Sequence, residues 1–351
     1  MNLYIFTRLK LFLSFKLLKL KTLRTMKRKV LVKFLLVPVF IFGLAGFSQA
    51  QDLNEAAEAF NTASQMSKTD PVAAIASANE CLRLCGEIGG DADDIKEKAE
   101  KLLPGLHLNS GNALIKAKKI SQAVPAFQEA LKLAEKYNNE EVMVKSKSML
   151  PKLYNSIATS YYKKEQYDKA LENLSQANVY DPDYAKAYYT MGLVYKKMDD
   201  AANFETTMEK GIVAATNSKD NKVLGQITKA ASTYFLANGT QALADAKAAE
   251  AAPLLEKALK FDGEGIDTYF YLASAYVELK KFDEAIELAN KALELEGADD
   301  EKNARHYYNL GMSYKGKNDK TAACEAFNKA LFGPFKENAK YEIEHGIKCG
   351  E

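Results

Sequence analysis

The chain has 351 residues, with 48 basic and 46 acidic side chains, a formal charge of +2, three histidines, four cysteines and no tryptophan. That near-balance hides a split: residues 1–50 carry ten Lys/Arg and no Asp or Glu, and the remaining 38 basic and 46 acidic side chains give residues 51–351 a charge of −8. An acidic body is poorly suited to neutralising phosphates, the sequence-independent part of nucleic-acid binding, so DNA and RNA are not expected partners.

From Met26 the chain reads MKRKVLVKFLLVPVFIFGLAGFSQAQD: a basic cluster, an apolar run and small residues at Ser48 and Ala50. This is the pattern of an export signal, with cleavage expected after Ala50 and a periplasmic or secreted location for the rest. The apolar run, residues 34–47, contains Pro38 and Gly43 and falls short of the roughly 20 residues that span a bilayer. A retained inner-membrane anchor is therefore the second reading, and the only one that brings membrane contact. Neither Ala50 nor Gln51 offers a cysteine for lipid attachment. Residues 1–25 form a basic extension, with 26–50 as the signal proper.

Residues 51–104 read as a degenerate first helical unit, with Ala74, Ala78 and Cys81 in the slots of its second helix. Beyond it a pattern recurs in which a small residue is followed four positions on by a large apolar one and three further by another small one. Ala123, Phe127 and Ala130 fit, as do Ala170, Leu174 and Ala177, then Ala251, Leu255 and Ala258, then Ala323, Phe327 and Ala330; Ala285, Ala289 and Ala292 fit with a smaller middle residue. Twelve residues before four of these lie Gly111, Ala158, Ala273 and Gly311, with Leu114, Tyr161, Tyr276 or Tyr314 three further on. Spacings of three and four place each set on one helix face, so each unit is two helices. Small residues at the crossing let two backbones approach while Tyr, Leu and Phe fill the flanks.

The register varies. Ala123 to Ala170 spans 47 residues, Ala251 to Ala285 spans 34 and Ala285 to Ala323 spans 38. The repeated Leu-Pro-x-Leu at 103–106 and 150–153 assigns the longer spacing to extended second helices plus a loop. Phe204 and Gly211 stand where alanines are expected, and ANGTQALADAKA (237–248) is expected to lengthen one hairpin and protrude.

With Tyr307, Leu310, Gly311, Tyr314, Ala323, Phe327, Ala330 and Pro334 in one unit, and Tyr188, Met191, Gly192 and Tyr195 in another, the chain resembles the tetratricopeptide repeat family. The aromatic first position is never Trp, and His107 occupies it once. The resemblance implies an all-α protein: an α-solenoid, wound as a right-handed superhelix, of about six to seven helix-turn-helix repeats over 104–334, with 335–351 as a capping helix and tail. It also implies an exported bacterial scaffold or adaptor, without catalysis or cofactor, that holds a protein or peptide segment in the groove lined by its first helices. Carried onto this chain, the groove positions are Asn155, Thr159, Tyr162 and Lys163; Lys186, Tyr189, Leu193, Lys196 and Lys197; Thr228, Ser232 and Phe235; Phe270 and Val277; and Tyr308 and Met312. Aromatic and basic on an acidic molecule, this surface suits an extended acidic segment. The family's chaperone-tail clamp is not carried over, because Leu108 stands before Asn112 where a lysine is required.

No metal is expected: His107, His306 and His345 are far apart, and GGDADDIKE lacks the register of a calcium loop. No nucleophile motif or phosphate-binding loop appears. Cys81 and Cys85, four apart on one helix, read as buried thiols. Cys324 and Cys349 lie on the last repeat and just after the cap, where antiparallel packing brings them together as a candidate disulfide. An assembly factor anchored to the inner membrane and a glycan-related accessory remain the alternative functions.

Overall fold

The structure, a computed structural model, describes residues 45–350, with side chains from Gln51 onward. Among the described residues, 45–54 and 55–350 fall in separate units. The export signal, apart from its last residues, lies outside the described residues. Its expected cleavage point falls inside the first helix, and among the described residues no helix is long and apolar enough to cross a membrane.

The described residues hold fifteen α-helices and no strand. Fourteen follow one another as pairs: α1 (Ala45–Met66) and α2 (Pro71–Ile88), α3 (Asp93–Lys116) and α4 (Ile120–Lys136), α5 (Glu140–Tyr162) and α6 (Tyr167–Tyr180), α7 (Ala185–Lys197) and α8 (Ala201–Asn217), α9 (Asn221–Ala244) and α10 (Ala248–Phe261), α11 (Ile266–Glu278) and α12 (Phe282–Glu296), and α13 (Asp300–Gly316) and α14 (Lys320–Lys329). After a 3-10 turn at Gly333–Phe335 comes the short α15 (Lys336–Tyr341) and a single π turn, Glu342–Gly346. The cores are local clusters joining neighbouring pairs, such as Ala158, Leu174 and Val194 in one and Phe204, Ile227 and Phe235 in the next. This near-neighbour packing is the one-dimensional architecture of an α-solenoid.

Six of the hairpins turn in the same way. Lys118, Glu165, Asp199, Ala246, Lys280 and Asn318 adopt left-handed backbone, with φ between 57° and 62°. The next residue's N–H reaches back five positions, as in Lys119 to Leu114, Gln166 to Tyr161 and Asp319 to Tyr314, at 2.9–3.0 Å. Such bonds satisfy carbonyls that a helix end would leave bare. The helix that follows opens on an acceptor where one is present: Asp200 caps Asn203 and Asp319 caps Ala322.

The crossing residues show where the repeat frame lies. A Cβ added at Gly111 would come 2.6 Å from the Phe127 ring, at Gly311 2.6 Å from Phe327, and at Gly239 2.6 Å from Leu255; Gly192 faces Met208 just as closely. In every case the partner stands sixteen residues on, as it does in the buried pairs Ala158–Leu174 and Ala273–Ala289. Gly239 therefore belongs to a crossing inside α9, and residues 237–244 are helix rather than a protruding insertion. The longer spacings also come mainly from long first helices: α3, α5 and α9 have 24, 23 and 24 residues, against 13 each in α7 and α11. Leu-Pro-x-Leu lies within α3 and α5, not in a loop. Pro104 and Pro151 are buried there beside Leu103, Leu106, Leu150 and Leu153, and that burial offsets the roughly 3 kcal/mol an interior proline costs.

Phe204 and Gly211, about two turns apart on α8, each fit their own neighbours. Phe204 is fully buried, 4.3 Å from the Tyr234 ring, while a Cβ on Gly211 would meet Ile227 at 2.7 Å and Tyr188 at 3.0 Å. The larger side chain fills the space that the long α9 creates, and the smaller one lets α7 and α9 close on α8. The expected boundary at residue 104 falls inside α3, and the expected cap begins within the 3-10 turn.

Candidate functional site

The first helices α5 and α7 lie side by side and enclose an open groove of about 910 Å³. Seven of the residues expected at groove positions line it together: Asn155, Thr159, Tyr162 and Lys163 from α5 and its cap, and Lys186, Tyr189 and Leu193 from α7. Lys152, Ser156, Ser160, Tyr184 and Thr190 complete the wall. Those five were not singled out in the sequence; Ser156 and Ser160 follow directly on Asn155 and Thr159, and that adjacency was the signal available. The wall carries three lysines and no carboxylate.

The floor is fixed by hydrogen bonds. Asn155 is buried, and its Oδ1 lies 3.0 Å from the Thr190 hydroxyl, tying α5 to α7; Thr159 donates to the Asn155 carbonyl at 2.7 Å. The same tie recurs between α11 and α13, where Asn309 Nδ2 lies 3.0 Å from the Phe270 carbonyl and 3.0 Å from Ser274 Oγ. Asn155 thus positions the groove as well as lining it. Buried polar groups paired in this way fix the relative placement of neighbouring helices.

A second hollow, about 650 Å³, lies along α9 and the start of α11. Thr228 and Ser232 line it beside Lys229, Thr233 and Leu236. Phe235 does not. It is 1% exposed and stacks on Phe261 at 5.8 Å in the core, because this repeat crosses at Gly239, eight residues beyond the crossing that the expected places of Thr228, Ser232 and Phe235 imply. Opposite stand Asp262, Glu264, Asp267 and Glu296 with Arg305. Arg305 spans Asp267 at 2.6 Å and Glu296 at 2.7 Å. Although burial works against it, hydrogen bonds from Arg305 and His306 hold the Glu296 carboxyl below its usual value.

Lys196 and Lys197 are exposed on the last turn of α7, outside the residues that line the α5–α7 groove; Lys196 Nζ lies 5.8 Å from the centre of the Tyr234 ring. Val277, Phe270, Tyr308 and Met312 are all half-buried. Phe335 lies 5.8 Å from Phe270 and 5.5 Å from Tyr308, and Met312, Ile343 and Ile347 pack on one cluster around Phe327 and Ala339. Cys324 and Cys349 are joined as a disulfide with Cα atoms 5.8 Å apart, whereas Cys81 and Cys85 are buried free thiols. Burial pushes the Cys81 thiol up to about 12, which leaves it unreactive. No cluster that could hold a metal occurs among the described residues.

His306 is completely buried against Phe270 and 3.4 Å from Glu296. Burial holds its imidazole below the ordinary value of 6.5; Glu296 opposes this and Arg305 adds to it. The unfolded chain therefore takes up this proton first. Stability is expected to fall as the pH drops below 6.5 and to level off once the folded form also protonates. Urea midpoints from about pH 8 to about pH 5 would show the fall, and His306→Gln should reduce it, leaving the part that His107, also held below its ordinary value by burial, supplies. A profile shared by both chains would mean that other groups set it.

Fold and groove together define a helical-repeat protein whose first helices present an open concave wall. Patterns of the TPR repeat match residues 158–199, and two tetratricopeptide repeat patterns match 265–331 and, in the second case, both 104–137 and 185–214. These matches, over 104–137, 158–214 and 265–331, show a tetratricopeptide repeat protein. A curated relative, the heat-shock protein cognate (HSC) co-chaperone sgt12 of Aspergillus fumigatus, is 30% identical over 109 residues, covering 31% of this chain. The chain spans only 28% of that relative's length. Among solved structures, YrrB, described as a TPR protein with an unusual peptide-binding site, is 20% identical at a TM-score of 0.31, covering 56% of this chain and 88% of YrrB. The MamA protein is 19% identical at 0.33, covering 56% and 96%. A tetratricopeptide repeat protein of Parabacteroides merdae is 17% identical at 0.27, covering 83% and 98%.

Proposed function

We propose that this protein is an exported, non-enzymatic scaffold that grips an extended acidic segment of a protein partner in the groove between α5 and α7. A protein-binding scaffold is the role its family supports. The observation that carries the finer reading is the wall itself: Lys152, Lys163 and Lys186 stand among Tyr162, Tyr184 and Tyr189 with no carboxylate, on a body of net charge −8. Aromatic rings supply contact area at low entropic cost, and lysines steer and orient an acidic chain. Export is supported by the basic cluster, apolar run and Ser48-Gln49-Ala50 of residues 26–50, and by the Cys324–Cys349 disulfide, which suits an oxidising compartment.

The test is site-specific photo-crosslinking in the native host. A photoreactive residue at Tyr189, in the groove, is expected to capture a discrete protein that the same residue at Val213, 60% exposed on α8, does not. Identical adducts at both positions, or none at Tyr189, would overturn the groove assignment.

A further inference from the structure

In the frame set by the crossing residues, Tyr308, Met312 and Lys315 hold the places on α13 that Asn155, Thr159 and Tyr162 hold on α5, and Phe270 on α11 holds that of Asn155 and Tyr189. In α5 and α7 these places line an open groove. On α11 and α13 they are occupied by the chain itself. Phe335 sits against Phe270 and Tyr308, and Glu342, nearly buried, accepts from Lys315 Nζ at 2.5 Å, while Ala339, Ile343 and Ile347 pack on the cluster around Phe327 of α14 that Met312 also joins. Gly346 leaves room for the Glu342 carboxylate beneath the π turn. A segment needed only to cover the solenoid's end would pack on α14; this one also reaches back along the groove face. Its outer surface is exposed and mostly charged, with Tyr341 61% exposed among Lys336, Glu337, Lys340 and Glu344, and its far end is fastened to α14 by Cys324–Cys349, both partly exposed.

We propose that residues 333–349 are a redox-released strap: a built-in occupant of the groove's C-terminal end that the disulfide holds in place. Once freed, it uncovers a subsite on α11 and α13 for a segment carrying an aromatic ring and a carboxylate. Release is thiol–disulfide exchange with a dithiol. One thiolate attacks a cysteine sulfur to form a mixed disulfide, and the second displaces it. The dithiol leaves as its own disulfide, and two electrons and two protons pass to Cys324 and Cys349. The aromatic contacts and the Lys315–Glu342 pair then hold the strap by themselves, in competition with any ligand of the same chemistry. The proposal rests on the helix frame, not on what α5 and α7 bind.

The experiment uses the full chain, oxidised and after treatment with dithiothreitol. Amide hydrogen exchange across 333–349 is expected to rise about tenfold or more on reduction, while α3–α12 keep their protection. A fluorescein-labelled peptide of residues 332–348 is expected to bind the reduced chain and not the oxidised one. Unchanged strap protection would make the segment a permanent part of the fold, and loss of protection throughout would make the disulfide a general staple. A strap that opens without peptide binding would remove the subsite. Each of these results overturns the proposal, and none bears on the crosslink at Tyr189.

Discussion

Replacing Phe204 with alanine is expected to destabilise the chain by about 3–5 kcal/mol, among the largest effects a single core truncation produces. The ring is fully buried, 4.3 Å from Tyr234 and 5.8 Å from Phe235, which itself stacks on Phe261. Gly211 lies about two turns further along α8, too far to fill the cavity, and the long α9 cannot close it without losing its own crossing at Gly239. In a solenoid the loss is felt first by the neighbours, so hydrogen exchange should accelerate in α7–α9 before α3–α4 or α13–α14. The urea midpoint and the exchange map together check this. A shift worth less than about 1 kcal/mol would show that α8 repacks around the smaller residue.

The fold class was legible because its signal is local. Gly or Ala at a crossing, with Tyr three positions on and Ala and Phe at fixed distances beyond, carries both the helical period and the pairing of two helices. What failed was phase. Residues 237–248 read as a protruding extension of the hairpin, whereas Gly239 is a helical crossing residue kept small by Leu255. Ala231 and Tyr234 imitate a crossing eight residues earlier, and that shift carried Phe235 from the core onto the expected groove. Where the frame is clean, in α5 and α7, seven of the nine expected positions meet in one groove. The strap was only half visible: the cysteine pairing follows from antiparallel packing, but the contacts of Phe335 with Phe270 and Tyr308 join distant segments, and no spacing announces them.

The groove's charge gives the second large effect. Reversing Lys163 and Lys186 together, as Lys163→Glu and Lys186→Glu, is expected to weaken binding of a glutamate-rich, tyrosine-bearing peptide by about 10- to 100-fold. Both lysines are exposed on the wall, so the fold should be untouched. Two lysines out of three become two carboxylates, which turns a purely basic wall into one that repels an acidic chain. The difference should shrink as salt rises, because exposed charges are screened over about 10 Å at 0.1 M. Lys196→Glu with Lys197→Glu makes the same change in net charge outside the groove wall, and should leave affinity within a fewfold of the parent. Fluorescence anisotropy on the three chains separates the cases. Equal losses in both double variants would mean that the peptide senses only the molecule's overall charge, and no loss at Lys163 and Lys186 would mean that the acidic segment binds elsewhere.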